Sequence, residues 1–327
     1  MSSPRVSVVI RSLGRTEALS ELVTRVLGQR HDHFEVVIVE QTPERSDEDE
    51  IRLAAIQSDP RVRLLRREPL GGPGARNEGV RAAQGDIVLL IDDDDLPLTD
   101  DWIAAHEAAY ADPLLAGATG RHVRAEGEAC PYPAPVRLFA RRKVLGYSVL
   151  KTPYTYARLD RRVDGVGWLH GTNASVRREV ALRAGLWDTH VRTQDEHSFA
   201  FKLRRVLKPG EYLAFLPHPP VLRRMDVAGG MEKRRVDVGR ELQNHLTFAH
   251  RVVGRYHPAR LRWLYPAYLG WAAVRTLSWV WDAGRGPVPV TTRLRQSAEA
   301  FVRLPSAVRA VRSEVGPASP APRPGRA

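Results

Sequence analysis

Four carboxylates stand in a row at Asp92-Asp-Asp-Asp95, directly after the apolar run Ile87 to Ile91. Adjacent carboxylates repel one another unless a cation or an outward turn relieves them. Hard divalent cations such as Mg2+ and Mn2+ take oxygen ligands and are often shared with substrate phosphates. The run therefore reads either as a metal site facing a diphosphate or as a solvated acidic turn. Gly71-Gly-Pro-Gly-Ala-Arg-Asn77 brings a guanidinium, Arg76, to a glycine-rich helix start, where an anion or a neighbouring acid could meet it. That run lacks the Lys-Ser/Thr ending of a P-loop. A second acidic pair, Asp195-Glu196, is by itself no more than a candidate helix start.

The elements that must position these groups alternate. Arg5 to Ile10, Phe34 to Val39, Arg61 to Leu65 and Asp86 to Ile91 have strand length and strand composition. Between them, Thr16 to Leu27, a short stretch ending near Gln57 and Gly71 to about Ala83 have the features of helices. This rhythm implies right-handed βαβ units and a parallel sheet, in which ligands bind beyond the carboxyl ends of the strands. The acidic run lies at such an end. Downstream, Thr99 is expected to cap a helix with Asp100 and Asp101 in its first turn. Leu114 to His122 is expected as a strand, Gly167 to Val176 as a strand broken by a polar turn, Arg177 to Ala184 as a short helix, Ser198 to Val206 as a helix, and Tyr212 to Leu216 as a last core strand. Residues 124–165 are irregular and too long for a plain connection, which suggests a functional segment.

Charge divides the chain of 327 residues unevenly. Residues 1–230 hold 33 basic and 32 acidic residues, whereas 231–327 hold 17 and 6. The near-neutral front argues against a nucleic-acid-binding core. One cysteine, Cys130, excludes a disulfide framework and a Cys-based zinc site. The organisation expected is a core domain over 1–230, a basic, Trp-rich helical extension over 231–315 and a disordered tail over 316–327. Trp263 to Trp281 holds four of the seven Trp residues and one charge, Arg275, but Pro266, Gly270 and that arginine make it a poor transmembrane span. The segment 251–295 suits either peripheral contact with a membrane or packing on the core or on a second subunit of a homo-oligomer. With no signal peptide in the first residues, a cytoplasmic place, or one on the inner face of the membrane, is expected.

The order of these motifs resembles family 2 glycosyltransferases over about residues 5–226. It comprises a strand followed by an Arg/Ser/Gly loop, a strand ending in an acid, a Gly-Gly-Pro-Gly-Ala-Arg-Asn helix start, a strand ending in Asp-x-Asp-Asp, and a later Gly-Thr-Asn turn with Gln-Asp. The resemblance implies a GT-A fold: an α/β, Rossmann-like, mostly parallel central sheet flanked by helices. It implies transfer of a sugar from a nucleotide-diphosphate donor to the hydroxyl of a saccharide, lipid-linked or small-molecule acceptor, with inversion and with Mg2+ or Mn2+ as cofactor. Asp92 and Asp94 match the metal-holding pair, and Asp195 matches the catalytic base. Arg11, Ser12, Glu40, Arg76, Asn77, Asp92 and Asp93 fall on the nucleotide-sugar side. Asp226 is a candidate third metal ligand, and His170, Asn173, Glu196 and His197 lie on the acceptor side. The chain departs from the family pattern in its first loop, Arg11-Ser-Leu-Gly-Arg15 in place of Pro-Thr-Tyr-Asn-Arg, and also with Glu40 for Asp and Gln194 for Glu. The competing expectations are a sugar-1-phosphate nucleotidyltransferase and a non-catalytic, membrane-associated scaffold of the same fold.

Overall fold

In a computed structural model the chain is described over residues 5–124, 143–144, 147–148, 160–191 and 195–224, with isolated positions at 227, 247, 250, 251 and between 291 and 311. It divides into two compact units, residues 1–129 with 155–234, and residues 130–154 with 235–327. In the first unit, β1 (Val6–Ser12), α1 (Thr16–Leu27), β2 (Phe34–Glu40), α2 (Asp47–Gln57), β3 (Val62–Arg66), α3 (Gly71–Ala82) and β4 (Ile87–Asp92) alternate. A three-residue strand, β5 (Asp95–Pro97), then precedes α4 (Trp102–Ala109) and β6 (Leu115–Arg124). The second unit contributes a small hairpin, β7 (Lys143–Val144) with β8 (Tyr147–Ser148). The first unit resumes with β9 (Val163–Asp164), β10 (Ala174–Arg177), α5 (Arg178–Arg183), α6 (Asp195–Val206) and β11 (Tyr212–Arg223).

Among the described residues, one sheet runs in the order β3-β2-β1-β4-β10-β6-β11-β5, with β9 also paired to β11. Its first four strands are parallel, as their alternation with helices requires. Every residue of β2 and β4 is buried, which accounts for their continuous apolar runs. Alternate residues face two cores. Val6, Val8 and Ile10 meet Leu19, Leu22 and Val26 of α1, Leu53 of α2 and Trp102 of α4 on one face. Val9, Val88 and Leu90 meet Val80 of α3, Val180 of α5 and Phe199 of α6 on the other. Each such side chain contributes roughly 1.5–3 kcal/mol of burial.

The sheet is more mixed than the expected, mostly parallel one. β10 is antiparallel to both β4 and β6. The reversal is made by residues 167–173, which form a turn and no strand. Asn173 takes a left-handed conformation there, with φ 47°, which asparagine tolerates better than most residues. Its side-chain oxygen accepts from Trp102 Nε1 at 2.9 Å, and its amide donates to the Arg121 carbonyl at 2.7 Å. Two further differences are local. Thr99 does not cap α4, because its hydroxyl bonds the Asp101 carboxylate at 2.5 Å and the helix begins after Asp101. The last strand continues to Arg223, and its far end pairs with β5.

Behind the turn lies a fully buried histidine, His106. Its ring nitrogens lie 2.9 Å from Ser175 Oγ and 3.0 Å from Asn173 Oδ1. Burial holds its pKa down to about 4. Because the folded value lies below the ordinary one, the stability it confers is complete above pH ~6.5 and is lost as pH falls toward 4. That loss amounts to about 3 kcal/mol. His106→Gln keeps a hydrogen-bonding side chain but cannot take up the proton. Urea midpoints at pH 7 and pH 4 are expected to diverge less in this variant than in the wild type. An equal acid-induced drop in both would show that His106 is not the group being charged.

Candidate active site

The acidic run is held by the register of the sheet. Arg11, at the end of β1, is the register partner of Asp92, at the end of β4. Its guanidinium grips the Asp92 carboxylate with both prongs, Nε to Oδ1 at 2.7 Å and Nη2 to Oδ2 at 2.6 Å. Gly72, in the first turn of α3, lies against that guanidinium so closely that a Cβ there would stand 2.9 Å from Arg11 Nη1. Burial favours the neutral acid, but the charges of Arg11 and Arg76 outweigh it and hold Asp92 well below the usual carboxylate range.

The next residues are balanced in turn. Asp93 accepts from Ser12 Oγ at 2.8 Å and meets Arg15 Nη2 at 3.2 Å. Burial nevertheless pushes its pKa up to about 7. Arg15 Nη1 lies 3.0 Å from Asp94 Oδ2, while Asp94 Oδ1 is buried with no hydrogen-bond partner. Asp94 is also shifted upward, by burial and by the charges of Asp92 and Asp95. Asp95 is fully buried and sits in a fork from Arg223, with both contacts at 3.1 Å. Arg224 binds the Asp94 carbonyl through its backbone N–H at 2.9 Å and pairs with Glu21. Arg15, Arg223 and Arg224 are not among the site residues expected from the sequence. Arg15 stood in the first loop as a visible signal. Arg223 had none, since its partner is 128 residues away.

Arg76 joins the two halves of the site. From α3 its Nη1 reaches Asp195 Oδ2 at 2.5 Å, and its Nη2 lies 3.3 Å from Asp92 Oδ1. Asp195 is the first residue of α6, so the acid at the end of β4 and the candidate base share one buried guanidinium. Gly171 leaves the room for this: a Cβ there would stand 2.6 Å from Glu196 Oε1 and 2.7 Å from Arg76 Nη2. Glu196 therefore lies beside the bridge.

The remaining candidates have different surroundings. Asn77 spends its amide on the backbone of Trp187, donating to the carbonyl at 3.0 Å and accepting from the N–H at 2.9 Å. Asn173 is turned into the core as described above. Both asparagine side chains thus have hydrogen-bond partners within the protein. Glu40, also fully buried, receives the Arg45 guanidinium at 2.6 Å and the Thr42 N–H at 2.8 Å. His170 stacks near His122, with ring centroids 4.2 Å apart, and Trp168 stands edge-on to it at 4.8 Å. Trp168 also lies 5.5 Å from His197, so three histidines and a tryptophan form one cluster. Burial holds His170 well below its ordinary pKa and His122 down to about 3, so both rings are neutral at pH 7. Asp226 and most of 251–295, including Trp263 to Trp281, lie outside the described residues. Among the described residues, no helix is long and apolar enough to cross a membrane.

A divalent cation suits the donors present. Among the described residues no group of three or more His, Cys, Asp or Glu side chains is arranged to hold a metal. Yet Asp92 and Asp94 offer oxygen donors of the kind Mg2+ and Mn2+ take, and the buried Asp94 Oδ1 accepts no hydrogen bond, which leaves its lone pairs for coordination to a cation.

The family model described as glycosyl transferase family 2 matches residues 7–183. "Glycosyltransferase GlyG" of Streptococcus pneumoniae serotype 4 is 32% identical over 95 residues, which is 29% of this chain and 31% of that protein. The succinoglycan biosynthesis protein ExoO of Rhizobium meliloti is 34% identical over 93 residues, 28% of this chain and 26% of that protein. The matches thus span less than a third of the length of these relatives. Among solved structures, the mannosyltransferase PcManGT from Pyrobaculum calidifontis, in complex with GDP-Man and Mn2+, aligns with a TM-score of 0.56 at 17% identity, covering 96% of this chain and 87% of that one. TarS 1–349 from S. aureus, in complex with UDP-GlcNAc, aligns with a TM-score of 0.52 at 13% identity, covering 94% and 74%. At such identities the structural likeness carries the fold alone, an open, mixed α/β sheet with flanking helices. The sequence match spans more than half of the chain, which belongs to glycosyl transferase family 2.

Proposed function

We propose that the protein transfers a sugar, with inversion, from a nucleotide-diphosphate sugar to an acceptor hydroxyl. The observation that carries this reading is the Arg76 bridge, 2.5 Å from Asp195 and 3.3 Å from Asp92, which sets a candidate base beside the acid at the end of β4. Arg11 and Arg15, at the mouth of the parallel strands, supply positive charge for a diphosphate, and Ser12 and Asp93 complete that side of the site. A divalent cation held by Asp92 and Asp94, Mg2+ or Mn2+, would act as a Lewis acid on the leaving diphosphate. Asp195 takes the proton of the acceptor hydroxyl as it attacks, and Arg76 fixes the orientation of that carboxylate. The neutral ring of His170, together with His197 and Glu196, offers hydrogen-bonding groups to the acceptor. The first-loop arginines would also suit a sugar-1-phosphate nucleotidyltransferase, but that reading gives no role to Asp195, which the Arg76 bridge joins to the acidic run.

The test is a thermal-shift panel of GDP, UDP, GDP-mannose and UDP-GlcNAc, each with Mn2+ and with EDTA. A ligand at 100 times its Kd stabilises the folded state by ~2.7 kcal/mol, a clear rise in Tm. The reading expects such a rise for at least one nucleotide, followed by sugar release or transfer. A flat panel, with no donor consumed, would leave the non-catalytic scaffold as the better account.

A further inference from the structure

Asp92 and Asp94 differ in a way that the pattern Asp-x-Asp does not reveal. An ionised carboxylate has about four lone-pair sites. At Asp92 all of them face guanidinium hydrogens: two from Arg11 at 2.7 and 2.6 Å, and two longer contacts from Arg76 Nη2 at 3.3 and 3.5 Å. At Asp94 one oxygen has no hydrogen-bond partner at all. A cation at Asp94 would thus meet an oxygen with no hydrogen bond to break, but at Asp92 it must displace a guanidinium. The two arginines are not equally free to leave. Arg76 is 4% exposed and tied to Asp195 as well, whereas Arg11 is 27% exposed and its side-chain bonds go to Asp92. The Arg11 position is also a built one, since the register of β1 and β4 aims it at Asp92 and Gly72 leaves the space beside its Nη1.

We infer that Arg11 is a tethered counter-ion for Asp92, which keeps the divalent cation off that carboxylate until a donor diphosphate draws the guanidinium away. This rests on the donor reading above. The diphosphate offers Arg11 an anion of at least equal charge, in the bidentate geometry that guanidinium favours. Cation and donor then fill the site together, and each tightens the binding of the other, since such coupling is reciprocal. Without a donor, Arg11 and Arg76 neutralise Asp92 and the cation binds weakly.

The experiment is a titration of the full chain with Mn2+ alone, followed by the electron paramagnetic resonance signal of free Mn2+, in the wild type, Arg11→Gln and Arg11→Lys. Arg11→Gln is expected to bind Mn2+ at least about tenfold more tightly than the wild type, within the usual range of coupling between sites. Arg11→Lys keeps the charge and is expected to stay close to the wild type. Repeating the titration with saturating GDP or UDP should raise the Mn2+ affinity of the wild type by about tenfold or more and that of Arg11→Gln much less. Equal Mn2+ affinity in folded wild type and Arg11→Gln without nucleotide overturns the inference. Should Arg11→Gln fail to fold, the wild type decides, since an Mn2+ affinity indifferent to nucleotide overturns it too. If no nucleoside diphosphate binds the wild type, the donor reading fails, while the Mn2+ comparison of the two chains still judges Arg11.

Discussion

Asp195→Asn is expected to bind the donor within about twofold of the wild type and to lose at least ~100-fold in kcat. An acceptor hydroxyl is a poor nucleophile until its proton leaves, and general-base assistance is typically worth ~10²–10⁴-fold. The amide keeps the size of the side chain and can still accept from Arg76 Nη1, so the bridge at 2.5 Å loses its charge but not its shape. That separation makes the variant informative, because donor affinity reports the α3 and β4 side while turnover reports the base. Donor affinity is to be measured by calorimetry and kcat at saturating acceptor. Unchanged turnover would remove Asp195 from the mechanism.

Arg76→Met should be damaging in two ways at once. Its guanidinium is 4% exposed and faces carboxylates that are themselves 11% and 9% exposed, so removing it strands buried charge. Breaking a buried pair from one side costs about 3–5 kcal/mol, much of it the penalty on the partner left behind. Asp195 loses the contact that orients it, and a misplacement of ~1 Å can cost ~10²-fold in rate. Urea unfolding and kcat should therefore both fall. Arg76→Lys restores a charge but not the fork that reaches two acids, so it should recover stability in part and turnover less. A Met variant with wild-type stability and wild-type kcat would show that the bridge holds nothing together.

The parallel half of the sheet was legible because β1, β2 and β4 are buried on both faces and all four strands alternate with helices, so their apolar runs betray them. The direction of β10 was not legible. Its alternation is the same whichever way it runs, and the reversal depends on a left-handed Asn173 whose amide is held by Trp102 and Arg121. The acidic run was visible as a cluster, but its partners were not, because pattern reports burial and leaves orientation open. Asn77 shows the same limit. Its place beside Arg76 suggested a nucleotide contact, whereas its amide closes on the backbone of Trp187, 110 residues later. Arg11 is the opposite case. Its departure from the family pattern was plain in the sequence, and the register with Asp92 gives that departure a physical content.

The pairing of the acidic run also bears on how the chain is made. Domains fold as units during synthesis, from the N-terminal end. Arg11 and Arg15, which balance Asp92, Asp93 and Asp94, precede the run by some 80 residues and are already out of the ribosome when it appears. Asp195, Arg223 and Arg224 emerge about 100 residues or more after it. Until β10 docks, β4 is an open edge, and an apolar open edge invites wrong partners. The nascent β1–β4 half therefore waits with its densest charge largely neutralised from within, and only the candidate base and the outer arginines are left to the late-arriving segment.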